Sequence, residues 1–142
     1  MSDCFIIVGG TSGIGSATAD LLTEHGHKVV VTGATDAETQ HSPHETYVLD
    51  VRDDKAVTAF FLKFPKIKGL LNAAGITGAG ARENIESFKN TIDINLTGSM
   101  RTMLAAKPGL VAAQGSIVNI GSVMSFTASA RIPGYSASKA AI

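Results

Sequence analysis

Short apolar runs alternate with amphipathic stretches along most of this chain. Five runs of four or five mostly apolar residues, several of them β-branched, predict buried parallel strands. They lie at residues 4–8, 28–32, 46–49, 69–72 and 116–120. Strands that alternate with helices form βαβ units with right-handed crossovers. The pattern therefore predicts an α/β fold with a parallel sheet that is covered by helices on both faces.

The segments between the strands carry helical spacing or turn residues. Helices are predicted from the Gly9–Gly15 turn to Gly26, over 53–64, and from Glu83 to about residue 113. The long third pattern has a predicted break at Gly98 or at Pro108. A last helix is predicted to begin near Tyr135. The segments predicted to be mostly loop are 33–45, 75–81 and 121–134.

Composition narrows the classes of function. The chain has 142 residues, of which 44% are hydrophobic and 17% charged, so we expect one globular domain over residues 1–142. Lys plus Arg and Asp plus Glu number 12 each, which leaves no basic field for nucleic acid. No stretch reaches membrane-spanning length, and the N-terminus lacks a basic leader. These features predict a cytoplasmic protein with neither a nucleic-acid nor a membrane partner.

Cysteine and histidine give little sign of metal chemistry. Cys4 is the only cysteine, so no disulfide can form within the chain, and its apolar surroundings predict a small buried side chain. The four histidines show no metal-ligand spacing with carboxylates. We expect no metal site and predict solvated surface positions for His25, His27, His41 and His44.

A glycine-rich turn follows the first predicted strand and opens the first helix. Gly9, Gly13 and Gly15 have the spacing Gly-x-x-x-Gly-x-Gly, and Thr11 and Ser12 are candidate helix caps. Backbone amides at a helix N-terminus bind phosphate, and small residues allow close approach. A tight turn with no ligand is the alternative. At the end of a first strand, the turn predicts nucleotide binding.

A tyrosine and a lysine lie four residues apart in the last predicted helix. Tyr135 and Lys139 therefore share one helix face. A cation beside a phenol favours the phenolate, so the pair could act as a general acid and base. The spacing alone is weak evidence, but Ser122 lies on the loop that precedes the tyrosine.

Several motifs occur together in one order. Besides the glycine turn and the Tyr135/Lys139 pair with Ser122, they are Asn72-Ala73-Ala74-Gly75 and Asn95-Leu96-Thr97-Gly98. In this combination the chain resembles the short-chain dehydrogenase/reductase family. The resemblance implies a Rossmann-like doubly wound parallel sheet, with about five strands present of the seven that are usual, and a C-terminal part that is missing.

The resemblance also implies an activity and its residues. Members transfer a hydride between a nicotinamide cofactor and an alcohol or carbonyl substrate. Tyr135 would be the acid/base, Lys139 would assist it and hold the cofactor ribose, Ser122 would stabilise the substrate oxygen, and Asn95 would support the proton relay. The implied cofactor-binding residues are Gly9, Thr11, Ser12, Gly13, Ile14, Gly15, Gly33, Ala34, Asp50, Val51, Asn72, Ala73, Ala74, Gly75, Tyr135 and Lys139.

Each of these residues also has a structural alternative. Ser122 could cap a turn, Asn95 could fix a helix irregularity, and Asp50 could be a plain turn residue. The pair Tyr135 and Lys139 could be a half-exposed aromatic and a solvated cation.

The choice of cofactor is weakly specified. NAD-binding members usually place an acid at the end of the second strand, where this chain has Gly33; Asp36 and Glu38 follow slightly late. NADP-binding members usually have a basic residue in the glycine turn or after that strand, where Ser12 and Ala34 stand here. The missing acid favours NADP over NAD.

The resemblance finally bears on partners and completeness. The long helix and the Tyr135 helix form the usual dimer surface of the family, which implies a homo-oligomer, dimer or tetramer. Residues 116–120 would form an exposed apolar edge.

We expect little turnover from these 142 residues alone, because the helix that holds Tyr135 and Lys139 ends almost at once. A non-catalytic nucleotide-binding remnant and a sugar-nucleotide epimerase are the competing hypotheses.

Overall fold

Five parallel strands form one sheet in the computed structural model, which describes residues 4–78 and 84–142. In chain order the strands are β1 Cys4–Val8, β2 Lys28–Gly33, β3 Glu45–Val48, β4 Ile67–Asn72 and β5 Ser116–Asn119. Their order across the sheet is β3-β2-β1-β4-β5, and every neighbouring pair is parallel. The five predicted strands are confirmed, with ends that move by one or two residues.

Helices connect the strands and pack on the sheet. They are α1 Gly13–Glu24, α2 Asp36–Thr39, α3 Asp54–Phe61, α4 Ile85–Ile92, α5 Gly98–Ala113 and α6 Pro133–Ala141. A π-helical segment, Asp93–Thr97, joins α4 to α5, and a short 3₁₀ turn covers Val123–Ser125. The end of the predicted 75–81 loop and the predicted helix start at Glu83 lie outside the described residues.

The predicted break in the long helix is wrong at Pro108, which lies inside α5. Pro108 and Gly109 both have low helix propensity, but the packing of Gly109 keeps this part of the chain helical. A methyl group at Gly109 would lie 2.8 Å from the carbonyl oxygen of Phe64 and 2.9 Å from the Ile67 side chain. The glycine lets α5 approach the sheet closely. The irregularity lies in the π-helical segment Asp93–Thr97, which ends directly before Gly98, the other predicted position of the break.

Alternate residues of the central strands enter two separate cores. Ile6, Val30 and Leu70 belong to the larger core, together with Phe60 and other residues of α3 and α5. Ile7, Val29, Val31 and Leu71 point to the opposite face, where Ala19 of α1 covers part of them. This period of two is the reason why the strands are apolar throughout.

The second face also carries an apolar groove of about 510 Å³ over β1, β4 and β5. At the sheet edge, Val118 of β5 is 55% exposed. Within the described part of the chain, β5 is therefore the exposed edge strand that the sequence predicts. Helix coverage of this face is partial, whereas the sequence pattern predicts that helices cover both faces.

Two smaller predictions have opposite outcomes. Cys4 is buried, as its apolar surroundings predict. The prediction of a solvated His44 is wrong: its side chain is only 7% exposed, and Nε2 lies 2.8 Å from a carboxylate oxygen of Asp20. The contact joins α1 to the segment before β3. Among residues 4–78 and 84–142, no helix has the length and apolarity needed to cross a membrane.

Candidate functional site

A cleft of about 400 Å³ opens at the carboxyl ends of the strands. The chain moves outward from β1 to β3 and then returns to the other side of β1 with β4, so the cleft lies at the point where strand order reverses. Thirteen of the predicted cofactor residues line it: Gly9, Thr11, Ser12, Gly13, Ile14, Gly15, Gly33, Ala34, Asp50, Val51, Ala73, Ala74 and Gly75.

The glycine turn is fixed to both neighbouring strands. The amides of Gly9 and Gly10 donate to the carbonyl oxygen of Thr32, at 3.1 and 2.9 Å. Gly9 has a φ of +79°, and a methyl group there would lie 2.5 Å from the backbone nitrogen of Ala74. Both the left-handed conformation and the close approach require glycine. The turn is therefore part of the cleft wall, and these contacts fix its backbone conformation.

Helix α1 begins directly behind this turn. Ser12 occupies the N-cap position, but its side chain makes no capping hydrogen bond. The first amides of a helix have no partner within the helix, so those of α1 face the cleft without a side-chain cap. A methyl group at Gly15 would lie 2.1 Å from the carbonyl oxygen of Gly9. The helix start is thus a close-packed cradle that can bind an anionic group.

Asn72 is the predicted cofactor residue of β4 that does not line the cleft. It is buried, and its Nδ2 donates to Asn119 Oδ1 at 2.9 Å, while its Oδ1 accepts from Thr102 Oγ1 at 2.7 Å. These bonds tie β4 to β5 and to α5. Asn72 positions the strand end from which Ala73 and Ala74 enter the cleft.

Asp50 lies on the cleft wall and is held by a neighbouring guanidinium. Arg52 donates through Nε and Nη2 to both carboxylate oxygens of Asp50, with the shortest contact at 2.6 Å. Hydrogen bonds from Arg52 hold the pKa of Asp50 below its ordinary value. A further bond, from Arg52 Nη1 to Asn90 Oδ1 at 2.9 Å, anchors the pair to α4. Asp50 Oδ1 also accepts from the Arg52 amide at 2.9 Å, so Asp50 has the turn role that its structural alternative predicts and lies on the cleft wall as well.

Asn95 joins three parts of the site from within the π-helical segment. Its side chain is 1% exposed; Oδ1 accepts from the Ile76 amide at 2.8 Å, and Nδ2 donates to the Ile76 carbonyl at 2.9 Å and to Ser138 Oγ at 3.0 Å. Ser138 in turn donates to the carbonyl oxygen of Tyr135. Asn95 thus sits at the helix irregularity, as its structural alternative predicts, and fixes α6 against the cleft.

Replacing Asn95 with Ala is expected to lower the free energy of unfolding by about 2–3 kcal/mol, because buried partners lose their hydrogen bonds. Urea unfolding followed by circular dichroism measures this loss. Asn90→Ala is the matched control, since its partner Arg52 is exposed and the expected loss is about 0.5 kcal/mol. Equal losses in the two variants would contradict the assigned role of Asn95.

Tyr135 and Lys139 lie together on α6. Lys139 Nζ is 5.8 Å from the centre of the Tyr135 ring. Nζ donates to the carbonyl oxygen of Ile120, which lines the cleft, at 2.6 Å. Lys139 is only 8% exposed, and burial lowers its pKa from the ordinary value. Lys139 is therefore buried and held by a hydrogen bond, which excludes the alternative of a solvated cation. Tyr135 is half-buried.

Close packing places α6 beside the cleft. A methyl group at Gly134 would lie 3.3 Å from Phe88 Cα and Thr91 Cβ, so α6 packs tightly on α4. Ser125 Oγ donates to the carbonyl oxygen of Lys139 at 2.7 Å and ties the helix to the 3₁₀ turn. A methyl group at Gly75 would lie 3.9 Å from Lys139 Nζ. The lysine thus adjoins the cleft wall without being part of it.

Ser122 has the structural role that its alternative predicts. Its Oγ accepts a hydrogen bond from the Met124 amide at 3.1 Å and caps the 3₁₀ turn. The hydroxyl retains a donor hydrogen. The cap fixes the position of Ser122 on the loop that follows β5.

Seven residues on the cleft wall are absent from the set of predicted cofactor-binding residues: Thr32, Glu38, Leu49, Arg52, Ile76, Ile94 and Ile120. Two of them are charged. Arg52 follows the predicted Asp50 and Val51 directly, and that adjacency is a usable signal. Glu38 follows the second strand slightly late, and its Oε2 accepts from the Ala34 amide at 2.8 Å, a contact that depends on how α2 folds back toward β2.

Comparison with known proteins shows the family and the fold of this chain. Residues 3–142 match the family described as short chain dehydrogenase. Carbonyl reductase family member 4 of Danio rerio is 35% identical over 155 residues, which cover 100% of this chain and 65% of that protein. The aldohexose dehydrogenase of Thermoplasma acidophilum, solved in ligand-free form, has a TM-score of 0.87 and 28% identity, with 98% of this chain and 57% of that one covered.

A variant of actinorhodin polyketide ketoreductase, solved with NADPH, has a TM-score of 0.86 and 27% identity over 99% of this chain and 60% of that one. The present chain therefore spans less than two thirds of the length of each of these relatives. The likenesses confirm the predicted Rossmann-like sheet. The chain belongs to the short chain dehydrogenase family of oxidoreductases.

Proposed function

We propose that the whole protein is an NAD(P)-dependent oxidoreductase that transfers a hydride between a nicotinamide cofactor and a small alcohol or carbonyl substrate. The main support is the helix start at Ser12, which lacks a side-chain cap and faces a cleft at the reversal of strand order. Amides in this position bind the pyrophosphate of a dinucleotide. The NADPH in the related ketoreductase supports the same assignment.

The residues of the cleft fit a dinucleotide. The amides from Ser12 to Gly15 would hold the pyrophosphate, and the close approach at Gly9 and Gly15 leaves backbone atoms at the surface of the cleft. Asp50 and Val51 would hold the adenine, and Ala74 and Gly75 would line the path toward α6. When bound, the cofactor would supply or accept the hydride.

The polar groups of α6 would carry the proton chemistry. Tyr135 would give a proton to, or take one from, the substrate oxygen. Lys139, held at the Ile120 carbonyl, would favour the phenolate and hold the cofactor ribose. Ser122 would donate its remaining hydrogen to the substrate oxygen. The role of Asn95 is to position α6, because its side-chain bonds are to Ile76 and Ser138.

One observation favours a second candidate, a nucleotide-binding protein without turnover. Ser122, Tyr135 and Lys139 do not line the described cleft, whereas the glycine turn and the ends of β2 and β4 form it. A chain could keep this cradle and lack a productive arrangement at α6. Binding without turnover in the complete protein would support this candidate.

Isothermal titration of the chain with NAD and NADP tests the proposal. Binding of one of them at micromolar concentration is expected, and the complex structure should place the nicotinamide ring beside the Tyr135 hydroxyl. Absence of binding of either dinucleotide to folded protein would overturn the proposal. A ring remote from Tyr135 would refute its role as acid/base.

We also propose that two copies associate through α5. Met100, Leu104 and Val111 on this helix are exposed, although apolar, and line or border a groove. A second copy would cover them, and Leu104→Glu should then weaken association. Analytical ultracentrifugation measures the state of the protein, and a monodisperse monomer at all concentrations would contradict the dimer.

A further inference from the structure

Glu38 lines the cleft, although its place in the sequence does not predict this. It lies on α2, yet its carboxylate reaches back to the end of β2, where Oε2 accepts from the Ala34 amide at 2.8 Å. Both residues line the cleft. An N-cap hydrogen bond fixes the backbone at Glu38, because the Glu38 amide donates to Thr35 Oγ1 at 3.3 Å.

Gly33 explains why the acid comes from α2. A methyl group at Gly33 would lie 3.0 Å from both Glu38 Cβ and Thr11 Cγ2. A side chain at the strand end would therefore press on α2 and on the glycine turn, and both would have to give by a few tenths of an ångström. The carboxylate that a strand-end acid would place in the cleft is supplied by Glu38 instead.

We propose that Glu38 is the residue that selects NAD against NADP; the inference rests on the proposed function. A carboxylate can accept a hydrogen bond from a ribose hydroxyl, as acids near this strand end do in dinucleotide sites. A 2′-phosphate would bring like charge to the same place. The Ala34 amide, a donor that such a phosphate could use, is already bonded to Glu38.

The other charges on the described cleft wall do not offset the negative charge of Glu38. Arg52 is the basic residue among the described lining residues, and its guanidinium is bonded to both oxygens of Asp50 and to Asn90. To hold a 2′-phosphate it would have to leave these partners. The wall therefore carries two carboxylates, from Glu38 and Asp50, against one engaged cation.

The experiment compares the dissociation constants of NAD and NADP for three proteins by isothermal titration. The natural chain is expected to bind NAD at least tenfold more tightly. Glu38→Gln keeps an acceptor for the Ala34 amide and removes the charge, so the preference should fall at least threefold. Asp36→Asn is the matched control: it removes a charge from the same short helix at a residue that does not line the cleft, and the preference should stay unchanged.

The outcomes separate the two proposals. Binding of both dinucleotides with equal affinity, or tighter binding of NADP, would overturn the role of Glu38 and leave the proposed function intact. Equal shifts in the Glu38 and Asp36 variants would show a general charge effect and would also overturn it. Failure of the natural chain to bind either dinucleotide would overturn the proposed function, and this inference with it.

Discussion

Replacing Tyr135 with Phe is expected to lower the turnover of the complete protein by about 10²–10⁴-fold, the range typical for loss of a general acid/base. The ring remains, so its contact with Lys139 and the packing of α6 should persist. Dinucleotide affinity should change less than about threefold, since Tyr135 is not among the lining residues of the cleft that contains the cradle. Steady-state rates and titrations of the same preparation measure both quantities.

The chain offers a matched control for this variant. Tyr47 is the other tyrosine, and its hydroxyl donates to Glu45 at 3.0 Å on β3, outside the lining of the cleft. Tyr47→Phe should leave turnover within about twofold, because surface changes away from a site have small effects. Natural turnover in the Tyr135 variant would show that another group moves the proton.

The sequence predicts the central strands well because each of them packs on an apolar core on both faces of the sheet. Ile6 and Ile7 enter different cores, so both positions have to be hydrophobic, and the resulting run is easy to recognise. The interior of the long helix was harder to predict. Pro108 and Gly109 have low helix propensity, and only the packing of Gly109 against Ile67 shows why the helix continues.

The backbone of the candidate site could be predicted, but its side-chain connections could not. The glycine turn appears as a fixed spacing, since the close approach at Gly9 excludes other residues. Glu38, in contrast, reaches the cleft only because α2 folds back toward β2. The same holds for Asn72, whose bonds to Asn119 and Thr102 depend on the order of strands in the sheet.

An added methyl group at Gly15, in the glycine turn, should strongly destabilise the fold, because its nearest neighbours are backbone atoms. In Gly15→Ala the added carbon would lie 2.1 Å from the Gly9 carbonyl oxygen and 2.9 Å from Gly10 Cα. Backbone atoms cannot rotate away as a side chain can, so the turn or the start of α1 must move. We expect a loss of about 3 kcal/mol in the free energy of unfolding, at the upper end of typical overpacking costs.

Because the same atoms form the anion cradle, Gly15→Ala should also weaken dinucleotide binding at least tenfold, or about 1.4 kcal/mol. Gly121→Ala is the control: the space around that glycine is open, and the expected change in unfolding free energy is within about 0.5 kcal/mol. Urea unfolding and titration calorimetry measure the two effects. If Gly15→Ala bound the dinucleotide as tightly as the natural chain, the start of α1 could not be the pyrophosphate site.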